Sequence, residues 1–319
     1  MKFLTAHKMS YNFNNKRRGI ALLIHNEQFD RCSGYKNRPG DTGDFDRMCE
    51  IFRELGFDIH AHRNLTAKEM LTVTENVSRN REIHENSDCF VCVIASHGEE
   101  MELETTGNVK IREQVIIGTD GHAIKTGDIV EMFDSENCEE LENKPKLFFI
   151  QACRTGQHTK LGMDEGHIIT VVDTVQKDGP HKRSIDDVYS HQLDEDEGDT
   201  RYLSSAEMFL GSVRRFHQVT DVECPDDTLL MFASLSSNFA VRNAMNGGWL
   251  LTSLYSQLKN YIDSGELWST DFTEILNCVL KDMTTKNFRP SDTSSPLYLA
   301  FSPGCLTHCL TKKIILSKK

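Results

Sequence analysis

The segment "KPKLFFIQACRTG", residues 144–156, leads through an uninterrupted apolar run to a single cysteine, Cys153. Runs that are continuously apolar, rather than alternating, are typical of strands buried on both faces of a parallel sheet. Similar runs recur in "GIALLIHN" at 19–26, "DCFVCVIAS" at 88–96 and "TLLMFASL" at 228–235. These four segments are predicted to be apolar strands.

Helical patterns separate these strands. Between residues 41 and 55 apolar residues recur at steps of three and four, with Asp41 or Thr42 as the expected N-cap and Gly56 at the end. Thr66 and Glu69 have the spacing of a capping box, which predicts a second helix to about residue 79. Further helices are predicted at 126–133, 247–262 and 270–283, and further strands at 56–62 and 304–316. This alternation predicts a mostly parallel α/β sheet with helices on both faces.

Composition excludes several classes of protein. The chain has 319 residues, is 38% hydrophobic and has a net charge of -12. It is long enough to bury a full core, and its acidity gives no reason to expect a nucleic-acid partner. Since no run approaches the roughly 18 apolar residues that span a bilayer, and the start lacks a signal-peptide core, we expect a soluble, cytoplasmic protein without a membrane partner.

Ten cysteines raise the question of disulfides or metal binding. Most lie in apolar runs, where free cysteine behaves as a small hydrophobic residue. Cys89 and Cys92, like Cys305 and Cys309, have ligand-like spacing, but no second pair with histidines completes a zinc set. We therefore predict reduced thiols, no metal and no cofactor.

Cys153 and His97 are both expected where apolar strands end. "SHGEE" at 96–100 places His97 directly after one strand, as Cys153 follows the next. The carboxyl ends of parallel strands meet at one edge of a sheet, which brings such side chains together. A thiolate can attack a carbonyl, a histidine can protonate the leaving amine, and backbone N–H groups such as that of Gly98 can hold the oxyanion. The pair predicts a nucleophilic cysteine site.

Several segments, in order, resemble the caspases, a family of cysteine peptidases that cleave after aspartate. They are "RPGD" at 38–41, "SHG" at 96–98, "KPKLFFIQACR" at 144–154 and "VRNAMNGGWLLTSL" at 241–254, and the last segment, 304–316, resembles the family's final strand. The likeness covers residues 19–316, nearly the whole chain. It implies a caspase-like three-layer αβα sandwich with a mostly parallel six-stranded sheet. It also implies Cys153 as nucleophile, His97 as general acid, and the N–H groups of Cys153 and Gly98 as the oxyanion hole.

The resemblance places the pocket for the substrate aspartate at Arg38, Gln151 and Arg242. Two guanidinium groups that converge on one carboxylate form charge-assisted hydrogen bonds, each worth about 1.5–3 kcal/mol. An uncharged side chain would leave them unpaired. Rejection of the wrong residue can then reach roughly 10⁴-fold.

Neighbouring subsites follow from the same resemblance. Phe239 and Val241 are expected to line the pocket for the residue before the aspartate, and Asn243 and Trp249 to border the site four residues back. Val241 replaces a tryptophan common in executioner caspases. Thr155 occupies a position that is commonly glycine, directly after "QACR". Both differences leave subsite preference and rate open.

The resemblance further implies a zymogen that is cut between a large and a small subunit. The predicted parts are a short N-terminal segment (1–18), a large subunit (19–160), a linker (161–227) and a small subunit (228–319). The linker pattern lacks any sustained period, and residues 196–199 read Asp-Glu-Gly-Asp, which fits executioner specificity. Cleavage is expected after Asp199, with Asp173, Asp178 and Asp187 as alternatives.

The resemblance also implies a homodimer and a biological role. The family's homodimer pairs the final strands, so 304–316 is expected at a dimer interface. The leading hypothesis is an executioner-like, aspartate-specific endopeptidase of protein substrates, acting in apoptosis-type signalling. The short N-terminal segment favours this downstream role. A catalytically silent caspase homologue, and a related peptidase that cleaves after a basic residue or asparagine, are the two other candidates.

Overall fold

The elements of the fold are taken from a computed structural model, which describes residues 9–106, 109–156, 217–220, 222–236, 238–243, 246–286 and 302–319. The helices are α1 (Asp41–Glu54), α2 (Ala67–Ser78), α3 (Arg81–Glu85), α4 (Thr126–Glu131), α5 (Trp249–Asp263) and α6 (Phe272–Thr285). The strands are β1 (Ile20–His25), β2 (Asp58–Arg63), β3 (Phe90–Ala95), β4 (Gly98–Thr106), β5 (Val109–Ile117), β6 (Ala123–Lys125), β7 (Lys146–Gln151), β8 (Thr155–Gly156), β9 (His217–Thr220), β10 (Thr228–Phe232), β11 (Arg242–Asn243), β12 (Gly247–Gly248) and β13 (Cys305–His308).

The main sheet has the predicted, mostly parallel arrangement. Within the described ranges it contains six strands in the order β13-β10-β7-β3-β1-β2. Neighbours from β2 to β10 pair in parallel, and only β13 runs antiparallel to its neighbour. The four apolar runs of the sequence are its four central strands, with every residue of each one buried.

Alternate residues of these strands supply two separate cores. Leu23, Val93 and Phe149 point to one side, where they pack in a core with α1, α5 and α6. Leu22 and Cys92 point to the other side, where they pack with α2 and α4. Because successive side chains of a strand face opposite ways, one apolar run serves both layers. The predicted three-layer αβα sandwich is confirmed.

The predicted N-cap of α2 is confirmed, whereas the predicted N-cap of α1 is not. Thr66 and Glu69 form the predicted capping box, each side chain bonded to the other residue's backbone N–H. For α1 the predicted caps, Asp41 or Thr42, were wrong by one or two residues, because Gly40 is the N-cap with φ 93°. Glycine adopts this left-handed conformation without the steric penalty of other residues, so backbone geometry rather than a side-chain bond starts the helix.

The final strand is shorter than predicted. Strand β13 comprises only residues 305–308, whereas the sequence pattern extended it to residue 316. Further on, Lys313 makes an isolated parallel bridge with Ser10. Nearby, the Tyr11 hydroxyl donates a 2.5 Å hydrogen bond to Asp227. The chain leaves the sheet edge here because its last residues pack against the beginning of the described chain.

A second, smaller sheet was not predicted. Strands β4, β5, β6 and β8 form it, and β9 pairs with β5. Strand β9 lies in the segment 161–227 that was predicted as a linker. The sequence of β4, "GEEMELETT", is rich in glutamate, which is depleted in strands. Such a segment carries little apolar signal, although Met101 alternates with acids. Since β4 begins at Gly98, this sheet continues directly from the predicted histidine.

We predict that Gly19→Ala destabilises the fold and that Gly127→Ala does not. A Cβ at Gly19, whose φ is +133°, would lie 1.8 Å from the Cys89 carbonyl oxygen, whereas a Cβ at Gly127 would meet nothing within 4 Å. The first change should lower the free energy of unfolding by at least about 3 kcal/mol, and the second should be neutral or stabilising by up to about 1 kcal/mol. Urea denaturation followed by circular dichroism measures both, and equal midpoints would contradict the prediction.

Candidate active site

The predicted nucleophile and the predicted histidine lie beyond the same end of two paired strands. Strands β3 and β7 are parallel neighbours, and their register ends at Ala95 opposite Gln151. His97 and Cys153 each follow two residues after this last pair, and the Ser96 N–H donates to the Gln151 carbonyl at 3.3 Å. The prediction that both residues follow neighbouring parallel strands is therefore confirmed.

Gly98 lies directly against the backbone of the cysteine. A Cβ placed on Gly98 would be 2.8 Å from the Cys153 carbonyl oxygen and 2.8 Å from the Ala152 Cβ. Any side chain here would push the two strand ends apart. Glycine is thus required for the close approach of residues 97–98 to residues 152–153, a reason that sequence reasoning did not supply.

The described contacts of the His97 ring include a hydrogen bond and two neighbouring aromatic rings. Its Nε2 lies 2.8 Å from the Lys36 carbonyl oxygen. The ring is only 8% exposed, and its centroid lies 4.6 Å from that of Phe29 and 5.1 Å from that of Tyr35. A carbonyl oxygen can only accept, so Nε2 carries a hydrogen and donates it. In the neutral ring Nδ1 is then the basic nitrogen.

Cys153 is buried at the edge of the larger core. Its side chain is 3% exposed, and its sulfur contacts the Ala240 carbonyl oxygen at 3.9 Å. The loop that follows is held in place, since the Arg154 N–H donates to the Asn238 carbonyl at 2.9 Å. Thr155, the residue that departs from the common glycine, is buried and pairs with Glu99. The strand end and its loop therefore place the thiol in a fixed position.

The three residues of the predicted aspartate pocket are all buried. Arg38 and Gln151 are 0% exposed and Arg242 is 1% exposed. Nη1 of Arg38 donates to the Asn26 carbonyl at 2.7 Å, and Nη1 of Arg242 donates to the carbonyl of Pro39. Because Pro39 directly follows Arg38, this hydrogen bond places Arg242 next to the backbone of Arg38.

Gln151 adjoins this arginine pair through a tight turn. Strand β11 pairs Arg242 with Gly248, and a Cβ on Gly248 would lie 2.4 Å from the Gln151 side-chain carbon Cδ. The Gln151 Oε1 accepts from the Leu250 N–H at 3.2 Å. The structure thus brings the three sequence-predicted pocket residues together from β7, β11 and the loop before α1.

The amide nitrogen of Gln151 is a buried donor whose acceptor is missing among the described residues. Nε2 is inaccessible to solvent and makes no hydrogen bond within them. A buried donor without an acceptor costs about 1–3 kcal/mol, so such groups in native proteins call for an explanation. Beside two guanidinium groups, a ligand carboxylate would supply the acceptor.

Asp44 is a residue of this site that sequence reasoning missed. Its carboxylate is buried and accepts from the Gly248 N–H at 2.6 Å and from Arg47 at 2.7 Å. Arg47 also donates to the Asn246 carbonyl at 2.6 Å, so α1 holds the turn that carries the pocket. The signal was available, because Asp44 lies four residues before Met48 on the apolar face of α1.

Three of the four predicted subsite residues, Phe239, Val241 and Trp249, pack in or against the larger core. Phe239 and Val241 are half-buried against the larger core, to which the nearly buried Trp249 belongs. The Trp249 N–H donates to the Val241 carbonyl at 3.1 Å, which joins these two residues. Asn243 pairs with Gly247 through its backbone, while its side chain lies outside the described residues.

The predicted cleavage sites, a possible metal site and possible membrane-spanning helices were also compared with the described residues. The candidate cleavage residues Asp173, Asp178, Asp187 and Asp199 lie outside the described residues. In the part of the chain that is described, no group of three or more His, Cys, Asp or Glu side chains is arranged to hold a metal. Every helix within the described ranges is too short or too polar to traverse a bilayer.

Comparisons with known proteins agree with this geometry. The family model described as "Caspase domain" matches residues 18–313. Caspase-6 of Bos taurus is 26% identical over 97% of this chain and 87% of the relative. Caspase-7 of Gallus gallus is 29% identical over 79% of this chain and 63% of the relative. Among solved structures, caspase-1 of Spodoptera frugiperda aligns with a TM-score of 0.67 at 20% identity, covering 100% of this chain and 99% of the other.

We predict that Asp44→Asn loosens the turn at 246–248, whereas Asp46→Asn on the same helix does not. Asparagine has a single acceptor oxygen, so its NH₂ group leaves either the Gly248 N–H or Arg47 without the bond that the carboxylate accepts, and the charge that attracts Arg47 is removed. The loss should be about 1–3 kcal/mol. Asp46 is the matched control because its side chain is 72% exposed. Hydrogen exchange at the Gly248 amide, read by mass spectrometry, should accelerate only in the first variant. Unchanged protection in both would show that Asp44 does not hold the turn.

Proposed function

Since this chain belongs to the caspase family of cysteine peptidases, we propose that it is an active endopeptidase that cleaves protein substrates after aspartate. The observation that carries the proposal is the buried, unsatisfied amide of Gln151 beside Arg38 and Arg242. This donor set suits a small anionic side chain, and the pocket adjoins the strand end that bears Cys153.

The proposed reaction uses three groups. The Cys153 thiolate attacks the scissile carbonyl, and the N–H groups of Cys153 and Gly98 stabilise the oxyanion. His97 donates a proton to the departing amine, which leaves a thioester between Cys153 and the substrate's aspartyl residue. A water molecule then gives one proton to His97 as its oxygen attacks the thioester carbon, and the C–S bond breaks, which releases the carboxylic acid and regenerates the Cys153 thiolate beside protonated His97. The hydrogen bond from Nε2 to Lys36 supports Nδ1 as the nitrogen that moves these protons.

Specificity for aspartate follows from size and charge. Two guanidinium groups and the Gln151 amide are withdrawn from water, and the Gln151 Nε2 makes no hydrogen bond to a described residue, which is unfavourable. An aspartate carboxylate would pair with all three. An asparagine side chain has nearly the same shape as aspartate, but its NH₂ group would face the N–H donors of the two arginines and Gln151. Substrates with asparagine at this position should therefore be cleaved much more slowly.

The finer biological assignment is also a proposal. We propose synthesis as a zymogen, processing in the linker and a role in apoptosis-type signalling in the cytoplasm, supported by the family and by curated relatives such as caspase-6 and caspase-7. Homodimerisation through β13 is supported by its place at the end of the sheet, where its outer edge can pair with a second copy. An executioner-like subtype and the domain boundaries given above stay predictions.

We predict that a linker-cut sample hydrolyses a fluorogenic Asp-Glu-Val-Asp peptide and that Cys153→Ala abolishes this activity. The matched control, Cys32→Ala, alters an exposed thiol outside the candidate site and should retain the wild-type rate. Replacing the final aspartate of the peptide by asparagine should lower kcat/KM by roughly 10⁴-fold. No turnover by a cut, folded dimer would favour the silent homologue instead. Equal cleavage after asparagine or a basic residue would favour the related peptidase.

We predict that the purified protein cuts itself after Asp199 on incubation. Mass spectrometry of the intact protein identifies the new C-terminus. A fragment that ends at Asp173, Asp178 or Asp187 would show that cleavage occurs at that alternative residue and not at Asp199. Asp199→Glu is the matched control because it keeps the charge but lengthens the side chain, and a short pocket should reject it. Unchanged cutting in Asp199→Glu would contradict specificity for aspartate at this position.

A further inference from the structure

An acidic groove lies outside the candidate active site. It is bounded by the C-terminal half of β5, by α4 and by segment 222–226, and has a volume of about 510 Å³. We call it the α4 groove. Six carboxylates line it in addition to Glu113: Asp128, Glu131, Asp134, Glu136, Glu223 and Asp226. None of the residues that line it belongs to the aspartate pocket or the catalytic pair.

Among the described residues, the lysines near the α4 groove are fewer than its carboxylates. Lys125 lines the groove and is paired with Glu113 at 2.8 Å. Lys146 lies buried nearby, where its charge attracts Asp134 and Asp226. Within the described residues none of the six other carboxylates forms a direct ion pair with a lysine or arginine, so the groove retains a negative potential.

Gln114 provides a second, independent feature of the groove. Residues of a strand alternate in direction, and Val115 and Ile117 pack with Phe29 on one side of β5. Ile116 packs with the core that contains α4 on the other side, and Gln114 shares this direction. Gln114 lines the α4 groove, so its side chain faces the groove between β5 and α4.

The side-chain amide of Gln114 is buried without hydrogen bonds to any described residue. Gln114 is 2% exposed, and both Oε1 and Nε2 lack partners within the described ranges. Two buried polar atoms left unsatisfied are unfavourable. The amide offers one acceptor and one donor group, which a peptide bond would satisfy with its N–H and its C=O.

We propose that the α4 groove binds an extended, arginine-containing peptide segment of a partner protein. One peptide group of the partner bonds to the Gln114 amide, and flanking guanidinium groups pair with carboxylates such as Glu223 and Asp226. Guanidinium is preferred over ammonium because its planar fork matches carboxylates with two parallel hydrogen bonds. This binding is separate from the proposed peptidase activity, since the two sites share no residue.

Fluorescence anisotropy with two labelled peptides tests the ligand class. The probe is a fluorescein-labelled heptapeptide of alternating alanine and arginine, titrated with the full-length protein at low ionic strength. In the control peptide citrulline replaces arginine, which removes the charge but keeps the shape. The arginine peptide should bind at least about tenfold more tightly, equivalent to 1.4 kcal/mol. Binding should weaken as salt is added because exposed charges are screened.

Paired variants test the site. Glu223→Gln with Asp226→Asn should weaken binding about tenfold, while Glu82→Gln with Glu266→Gln, exposed acids outside the groove, should leave it unchanged. Gln114→Met replaces the amide by an apolar group of similar size. It should therefore fold with an unchanged or higher Tm and yet bind the peptide several-fold more weakly.

Each alternative result overturns the proposal. Equal affinity for both peptides, or no binding of the arginine peptide, would exclude an arginine-binding groove. Equal weakening by the two pairs of acid variants would indicate attraction to the acidic surface as a whole. If Gln114→Met binds normally and spermine competes as well as the arginine peptide, the groove attracts cations without recognising a peptide.

Discussion

The parallel pairing of β3 with β7 is the constraint on which the candidate site depends. It sends both strands out of the sheet at one edge, so that His97 and Cys153 emerge side by side from a rigid, fully buried platform. Gly98 then allows the two chains to approach more closely than any other residue would permit. Because both side chains are fixed by strands rather than by long loops, their relative position follows from the backbone register.

The pocket depends on a different kind of constraint. Arg242 and Gly248 lie on a two-stranded turn far along the chain, and the turn is tied to α1 through the Asp44 carboxylate. One buried acid thereby connects a helix near the start of the fold with a loop from the second half. Its energetic role is to satisfy the turn's N–H and Arg47 together, which keeps Arg242 near Pro39 and Gln151.

Two buried glutamines point to opposite ligand chemistries. Gln151 lies next to two arginines, whereas Gln114 faces a groove with many carboxylates. In both places a side-chain amide is withdrawn from water without a complete set of partners among the described residues. The same physical anomaly therefore favours an anionic group at the strand ends and a cationic peptide at the α4 groove.

The amino-acid sequence by itself predicted the mostly parallel sheet and the positions of Cys153 and His97 at its edge. The continuous apolar runs predicted four buried strands, and the Thr66 capping box predicted where α2 begins. Two of these runs were predicted to end just before His97 and Cys153. These signals are local, since a continuous apolar run and a capping box each lie within one short segment of the chain. Only the tertiary structure decided the role of Asp44, the tight fit of Gly98 and the surroundings of Gln114. The glutamate-rich β4 also escaped prediction, because its stability comes from pairing with β5 and not from apolar periodicity. Each of these depends on contacts between residues remote in sequence, which no pattern along one segment contains.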